Sequence, residues 1–272
     1  MDHEITSRDG TRIHAEVTGP EAADTPTLVF ANSLGTNLHL WDGVVAALPP
    51  SLRIVRYDMR GHGRSDVPDA PYTMGQLVSD AEAVCDGLGL RDVMFCGLSV
   101  GGMVAQGLAV KRPELMRAMV LSNTAAKIGH PALWADRIET ALAHGMAPLI
   151  DAILARWFGP AFRNSPAAEP WRAMVLATPP QGYAGICAAI DGTDFYTPTS
   201  GLRLPVLGIA GSEDGATPPD LVRETVDLIP GSRFVLMRRA GHLPCAEDPQ
   251  TYAAHLMDFM QATGHLRAGL AE

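Results

Sequence analysis

Ser99 carries the clearest chemical signature in this chain, because it is at the centre of Gly97-Leu98-Ser99-Val100-Gly101. The apolar run before this motif and the small-residue helical pattern after it predict a strand, a sharp turn and a helix. In that context Gly-x-Ser-x-Gly projects a serine hydroxyl from the end of the strand, near the positive N-terminus of the helix. A glycine turn without chemistry is the alternative, but the strand, turn and helix order favours a nucleophile.

A serine nucleophile needs a base and an orienting acid, and in this arrangement both follow the serine along the chain. Asp214 comes just after a predicted strand, and His242 comes just after the last one. Glu213 is the alternative acid, but the loop position of Asp214 fits the pattern better. His62 is the alternative base, but it precedes the serine, and we interpret it as structural in a glycine-rich loop. The sequence therefore predicts a catalytic triad of Ser99, Asp214 and His242.

Other polar residues are not assigned to the triad. His3, His14 and His265 lie in polar or terminal stretches and are predicted to be surface groups. Asn123 follows another predicted strand, where an acid could also be placed, but its amide cannot supply the negative charge.

A tetrahedral oxyanion formed on Ser99 needs two preorganised hydrogen-bond donors. We expect one to be the backbone N–H of Val100, at the start of the helix after the serine. The other is expected to be the backbone N–H of Leu34, in the loop after an early strand. No residue cluster indicates a metal site, and no Gly-x-Gly-x-x-Gly follows the first strand. We therefore expect no metal and no cofactor.

The strands and helices that position these residues follow from hydrophobic periodicity. Residues 4–19 alternate around Asp9-Gly10 and predict a β-hairpin. Short apolar runs predict further strands at residues 27–33, 53–58, 92–98, 117–123, 204–211 and 233–238. Helical patterns separate these runs, so the sequence predicts a mostly parallel α/β sheet.

Helix starts also carry sequence signals. Thr73 and Gln76 have the spacing of a capping box at the start of one helix. Near the end of the chain, Thr217 is the expected N-cap of a helix whose first residue is Pro218.

The alternation of strands and helices stops near Asn123. Residues 124–201 contain helical patterns without a convincing strand. We therefore expect a helical cap, residues 124–201, inserted into a core domain formed by residues 1–123 and 202–272.

Composition limits the possible partners and compartments. The chain has 272 residues, of which 47% are hydrophobic, and a net charge of -9 at pH 7. The acidic balance argues against nucleic acid as a partner, and no apolar run is long enough to cross a membrane. The polar start lacks the pattern of a secretion signal, and the four cysteines are far apart. We expect a cytoplasmic protein that acts on a small molecule.

These motifs also carry a family resemblance. The segments DMRGHGRSD, GLSVGG, GSED and AGHLP resemble those of α/β-hydrolases, and they follow the order of that family along nearly the whole chain. The resemblance implies an α/β-hydrolase fold, with an eight-stranded, mostly parallel sheet flanked by helices and a helical cap insertion. The segments ANSLGTNLHLWD, LSNTAAKIG, ARWFGPAF and YAGICAAI are more specific. They are similar to the 3-oxoadipate enol-lactonases of the β-ketoadipate pathway, which breaks down aromatic compounds.

The narrower resemblance implies a serine hydrolase that opens an enol-lactone bearing an acetate arm. The acyl-enzyme would form on Ser99, and the product would be 3-oxoadipate. A carboxylate on the substrate needs a partner, and four residues of the insertion are candidates: Trp134, Arg137, Arg156 and Trp157. The alternative role of each is structural, since insertion aromatics usually pack inside the insertion and arginines usually face water.

Other functions are compatible with the same triad. A carboxylesterase or lactonase of broader range is the nearest alternative, followed by a hydrolase of carbon–carbon bonds. Haloalkane dehalogenases and most epoxide hydrolases are disfavoured, because they use a carboxylate where this chain has Ser99. A ligand-binding protein is the alternative outside enzymes, but a complete set of triad residues argues against it.

Overall fold

The computed structural model describes residues 1–22 and 24–266. Within these ranges one sheet contains eight strands: β1 (Asp2–Thr6), β2 (Arg12–Thr18), β3 (Thr27–Ala31), β4 (Arg53–Tyr57), β5 (Val93–Leu98), β6 (Met116–Ser122), β7 (Val206–Gly211) and β8 (Arg233–Met237). Their order across the sheet is β1-β2-β4-β3-β5-β6-β7-β8. The predicted α/β class, with a mostly parallel eight-stranded sheet, is confirmed.

The sheet combines an antiparallel edge with a parallel body. β1 and β2 form the predicted hairpin and pair antiparallel, and β2 pairs antiparallel with β4. All other neighbouring strands pair in parallel. Every residue of β3, β5 and β7 is buried, as expected for parallel strands covered on both faces. Because these strands run in one direction, the loops that follow β3, β5, β6, β7 and β8 meet at one edge of the sheet.

Helices connect and flank the strands. The described ranges contain α1 (Asp42–Ala47), α2 (Met74–Gly87), α3 (Val100–Lys111), α4 (Pro131–His144), α5 (Ile150–Trp157), α6 (Pro160–Arg163), α7 (Glu169–Ala177), α8 (Pro180–Asp191), α9 (Tyr196–Ser200), α10 (Pro219–Asp227), α11 (Pro244–Glu247) and α12 (Pro249–Ala262). The predicted capping box of Thr73 and Gln76 starts α2, with both reciprocal hydrogen bonds formed.

The start of α10 differs from the sequence prediction. The helix begins at Pro219 with Pro218 as its N-cap, one residue later than expected. The Thr217 hydroxyl does not cap it, because that hydroxyl donates to the Asp214 carboxylate at 2.8 Å. A contact within the candidate site therefore replaces the expected cap.

Residues 124–201 contain α4 to α9 and, all of them being described, no strand. The buried side chains of Trp134, Ile153 and Trp157 belong to the same hydrophobic cluster as the sheet. This shared cluster packs α4 and α5 onto the rest of the chain. The predicted core range 202–272 extends past the described residues, since 267–272 lie outside them. Among the helices of the described ranges, none has the length and apolar character needed to cross a membrane.

Candidate active site

Ser99 lies in the turn between β5 and α3 with a left-handed φ of 58°. Such a conformation costs a non-glycine residue on the order of 1–3 kcal/mol and persists only where its surroundings enforce it. The Ser99 N–H donates to the Ser122 carbonyl at 3.0 Å, which ties the turn to β6. A Cβ at Gly97 would come closer than 3.0 Å to the Gly101 backbone, and one at Gly101 equally close to the Ala31 backbone. The two motif glycines are therefore required by the packing of this turn.

Ser99 opens onto a cavity of about 170 Å³. His242 and Leu34 line the cavity from the loops of the sheet, while residues of α4, α5 and α8 line it from the inserted segment. Sites for drug-sized ligands typically occupy about 300–1,000 Å³. The cavity therefore suits a small substrate that is enclosed between the sheet and the inserted helices.

Asp214 and His242 are in direct contact. His242 Nδ1 lies 2.9 Å from Asp214 Oδ2, and both side chains are buried. Asn123 Nδ2 donates to the same oxygen at 2.8 Å, as does the Thr217 hydroxyl, while the N–H groups of Ala216 and Thr217 donate to Oδ1. Burial alone would raise the pKa of Asp214, but His242 and these hydrogen bonds outweigh it and lower the pKa below its usual value. The carboxylate is therefore ionised and fixed in place.

The contact with Asp214 determines which nitrogen of His242 is available. An ionised carboxylate accepts a hydrogen bond from Nδ1–H, which leaves the lone pair on Nε2. The Ser99 hydroxyl has no hydrogen-bond partner among the residues that the structure describes. Hydrogen bonds of this kind are often long before substrate binds and tighten in the complex. The structure thus joins Asp214 to His242, and it places His242 and Ser99 on the wall of one cavity.

The main chain of His242 is bound to the inserted segment. The Trp157 carbonyl, at the end of α5, accepts hydrogen bonds from the N–H groups of His242 (2.7 Å) and Leu243 (3.2 Å). A Cβ at Gly241 would come closer than 3.0 Å to the same carbonyl, so only glycine fits there. The loop that carries the imidazole therefore depends on α5 for its position.

The backbone N–H groups of Leu34 and Val100 were the two predicted oxyanion donors. Neither has a hydrogen-bond acceptor within the described ranges. Val100 is the first residue of α3, so its N–H is one of the donors that a helix N-terminus leaves free. The N–H of Gly35, next to Leu34, donates to His62 Nε2 at 2.9 Å, which fixes the Leu34 loop. Both predicted donors are thus unused and border the region of Ser99.

His62 is buried in the loop that follows β4. Burial lowers the pKa of His62 to about 4, outweighing the Arg60 carbonyl and the Asp58 carboxylate, which favour its protonation. The ring is therefore neutral at pH 7 and can accept the Gly35 N–H through Nε2. This contact supports the interpretation of His62 as structural.

All four candidate residues of the inserted segment line the cavity: Trp134, Arg137, Arg156 and Trp157. The indole N–H of Trp134 donates to the Ile128 carbonyl at 2.8 Å, so this tryptophan offers the cavity an apolar surface. The guanidinium of Arg137 lies over the Trp134 ring, 5.2 Å from its centroid. Trp134 therefore positions Arg137 rather than binding an anion through its own N–H.

Arg137 and Arg156 bring positive charge into this cavity without a counter-ion. Neither forms an ion pair with an acidic side chain of the described ranges. Burial lowers the pKa of Arg156, and the charge of Arg137 lowers it further. Two partly buried, mutually repelling cations make the cavity suitable for an anionic group.

Asn123 and Thr217 contact Asp214, and sequence reasoning missed both contacts. Asn123 directly follows β6, at the edge where the strands end, and this position was the available signal. Its φ of 45° is left-handed, and its side-chain amide contacts Asp214. Sequence spacing predicts that Thr217 caps a helix, because spacing cannot show that Asp214 competes for its hydroxyl.

The surface placement predicted for two histidines is wrong. His14 and His265 are both buried. His14 Nδ1 lies 3.0 Å from Asp58 Oδ2, and His265 Nε2 lies 2.9 Å from the Thr27 carbonyl. These partners are far away in sequence, so the polar surroundings along the chain gave no indication of them.

Comparisons with known proteins identify the family of this chain. A family model for the alpha/beta hydrolase fold matches residues 26–249. 3-Oxoadipate enol-lactonase 1 of Acinetobacter baylyi is 34% identical over 260 residues, which cover 95% of this chain and 96% of that protein. 3-Oxoadipate enol-lactonase 2 of the same organism is 35% identical over 232 residues, covering 85% and 86%. The crystal structure of the enol-lactonase from Burkholderia xenovorans LB400 is 36% identical and superposes with a TM-score of 0.91, covering 95% of this chain and 99% of that one. The chain belongs to the α/β-hydrolase family.

Proposed function

We propose that this protein is a serine hydrolase that opens 3-oxoadipate enol-lactone to 3-oxoadipate. One observation carries the proposal: Ser99 and His242 share a small cavity with two arginines that have no counter-ion among the residues that the structure describes. The first pair supplies the means to cleave an ester, and the second pair supplies a partner for a carboxylate. The two Acinetobacter relatives are named 3-oxoadipate enol-lactonases, which supports a lactone as the substrate and an acid as the product.

In the proposed reaction, Ser99 Oγ attacks the lactone carbonyl carbon while His242 Nε2 takes the hydroxyl proton. The N–H groups of Leu34 and Val100 stabilise the oxyanion, and Asp214 stabilises the imidazolium. Collapse of the tetrahedral intermediate breaks the ring C–O bond, and His242 returns the proton to the leaving enol oxygen. The enol then tautomerises to a ketone.

Water completes the proposed cycle. His242 removes a proton from a water molecule as its oxygen attacks the acyl-enzyme carbonyl. The second tetrahedral intermediate breaks the bond to Ser99 Oγ, which regains its proton from the imidazolium. The product leaves with one more carboxylate than the substrate, at the site of the former ester.

Arg137 and Arg156 are proposed to bind the acetate arm of the lactone. Charge-assisted hydrogen bonds of this kind contribute about 1.5–3 kcal/mol. At about 1.36 kcal/mol per factor of ten, loss of one arginine should lower kcat/KM for the lactone by about 10- to 100-fold. A neutral ester, which has no carboxylate for the arginines to bind, should be hydrolysed almost as before.

The test compares 3-oxoadipate enol-lactone with p-nitrophenyl acetate in the wild type, Arg137→Gln and Arg156→Gln. Arg172→Gln is the matched control, because Arg172 also lies in the insertion but pairs with the exposed Asp151 at 2.9 Å. The proposal predicts strong preference of the wild type for the lactone and a selective loss in the two cavity variants. Turnover of the generic ester alone would favour a broader carboxylesterase, and activity on neither substrate would favour a binding protein.

The helices between β6 and β7 and the four cysteines bear on the domain organisation and the compartment of this protein. Residues 124–201 are proposed to act as a cap that encloses the substrate over a core of residues 1–123 and 202–272. The four cysteines are buried and unpaired, which supports a reducing, cytoplasmic compartment.

A further inference from the structure

A second group of potential ligands lies on the antiparallel edge of the sheet. Asp2 of β1 pairs with Glu16 of β2 in the strand register, and His14 lies two residues before Glu16 on the same face. One ligand atom from each of these three side chains lies within 4.8 Å of the other two. None of the three lines the cavity at Ser99. The cluster is therefore independent of the proposed active site.

His14 distinguishes this cluster from an ordinary group of surface acids. Its side chain is only 3% exposed, and its Nδ1 lies 3.0 Å from Asp58 Oδ2. Asp58 is itself fixed, because Oδ1 accepts the Leu38 N–H at 2.8 Å and Oδ2 accepts the Arg64 N–H at 2.9 Å. Such a carboxylate takes the hydrogen bond from Nδ1–H, so the lone pair of His14 is on Nε2.

The Nε2 atom of His14 is buried and has no hydrogen-bond partner among the described residues. It faces Asp2, whose Oδ2 lies 3.9 Å away, too far for a hydrogen bond. A buried acceptor without a donor is costly, and a carboxylate cannot donate to it unless it is protonated. A cation placed between His14 and Asp2 would accept the nitrogen lone pair and would also bind the nearby carboxylate oxygens.

The surrounding charges leave room for such a cation. The guanidinium groups of Arg56 and Arg64 supply two positive charges. The carboxylates that face these arginines or His14 are those of Asp2, Glu16, Asp42 and Asp58. The N-terminal ammonium of Met1 also acts on Asp2 and adds a third positive charge. With a neutral His14, four negative charges against three positive charges leave a net negative environment that attracts a cation.

We propose that Asp2, His14 and Glu16 bind a divalent transition-metal cation of the Zn²⁺ class. An imidazole nitrogen with two carboxylate oxygens suits zinc and similar ions, whereas magnesium and calcium prefer oxygen ligands alone. Asp58 acts as the outer partner that orients the metal-binding histidine, an arrangement common in zinc sites. Water completes the coordination, because the Asp2 side chain is 59% exposed.

The existing ion pairs compete with the metal but do not prevent binding. Asp2 pairs with Arg64 at 2.8 Å, but both side chains are about 60% exposed, so water and salt screen the pair and it holds Asp2 only weakly. Arg56 contacts Asp42 as well as Glu16 and so keeps a partner when Glu16 binds the metal. Removing the charge of Arg64 should therefore strengthen metal binding, a result that a purely structural role of the cluster would not give.

The experiment is calorimetric titration of the metal-stripped full chain with ZnCl₂ at pH 7.5. We expect one saturable site, an affinity loss of more than about tenfold in both Asp2→Asn and His14→Gln, and a gain in Arg64→Gln. His39→Gln is the matched control, because the His39 ring is exposed and, among the described residues, contacts only the exposed Asp42, at 3.1 Å. Excess Mg²⁺ should not compete with Zn²⁺.

A second measurement avoids any effect of the variants on folding. In ¹⁵N-histidine-labelled wild type, Zn²⁺ should shift the Nε2 resonance of His14 while Nδ1 remains protonated. Absence of saturable binding, wild-type affinity in both Asp2→Asn and His14→Gln, or a doubly protonated His14 that does not respond to Zn²⁺ would each overturn the proposal. The last result would identify an imidazolium as the cation between Asp58 and Asp2.

Discussion

His62 gives the sharpest test of how the Leu34 loop is held. Its neutral ring accepts the Gly35 N–H, and protonation would remove this acceptor. Replacement by glutamine keeps an acceptor oxygen at the end of the side chain but removes the titrating group. His62→Gln should therefore remain folded at pH 7.5 and should lose less stability than the wild type on acidification.

The size of the effect follows from the pKa of His62, which burial lowers from 6.5 to about 4. The unfolded chain takes up this proton at a higher pH than the folded chain does. The contribution of His62 is thus complete above about pH 6.5 and is lost as the pH falls towards 4. At about 1.36 kcal/mol per pKa unit, the full loss is about 3 kcal/mol, of which about 2 kcal/mol is gone by pH 5.

Urea unfolding at pH 7.5 and pH 5 measures this loss in both proteins. The wild type should lose about 2 kcal/mol more than His62→Gln between the two pH values. His265, whose pKa burial also lowers, is present in both proteins and cancels in the comparison. Equal losses in the two proteins would refute a neutral, buried His62.

His62→Leu, which leaves the Gly35 N–H without an acceptor, should additionally lower kcat for the lactone more than it changes KM.

Three further substitutions test the site around Ser99. Ser99→Ala should fold normally and lose essentially all turnover, and an active variant in a single-turnover assay would remove the nucleophile assignment. Gly101→Ala should fail to fold or lose activity, because its Cβ would come closer than 3.0 Å to the Ala31 backbone; wild-type melting and activity would contradict the packing described for the turn. Thr217→Val removes one hydrogen bond to Asp214 and should lower kcat by about 3- to 10-fold, in line with about 0.5–1.5 kcal/mol for such a bond. An unchanged kcat would indicate that the remaining donors hold the carboxylate alone.

Much of the fold could be predicted because local signals and global packing agree. The buried strands read as apolar runs, and the capping box of Thr73 and Gln76 starts α2 as expected. The strand, turn and helix around Ser99 followed from the same logic, since the motif glycines are needed only where backbones approach closely. These signals lie within short stretches of sequence.

The rest of the site depends on contacts between distant residues. Asn123 reaches Asp214 across 91 positions, and His14 reaches Asp58 across 44. No periodicity encodes such pairs, so the sequence predicts neither the contact of Asn123 with Asp214 nor the burial of His14. The predicted cap of α10 was wrong for a related reason, since Thr217 could serve either the helix or the carboxylate and only the packed fold decides between them.

The two hydrogen bonds that the Trp157 carbonyl accepts from His242 and Leu243 limit how this enzyme could admit its substrate. If α5 swung outward as a rigid lid, it would pull away the support of the imidazole with every opening. We therefore expect the substrate to enter the cavity beside α5, when side chains are displaced or α4 moves. During this entry α5 keeps its contacts with His242 and Leu243. His242 would then keep its position relative to Ser99 while substrate enters and product leaves.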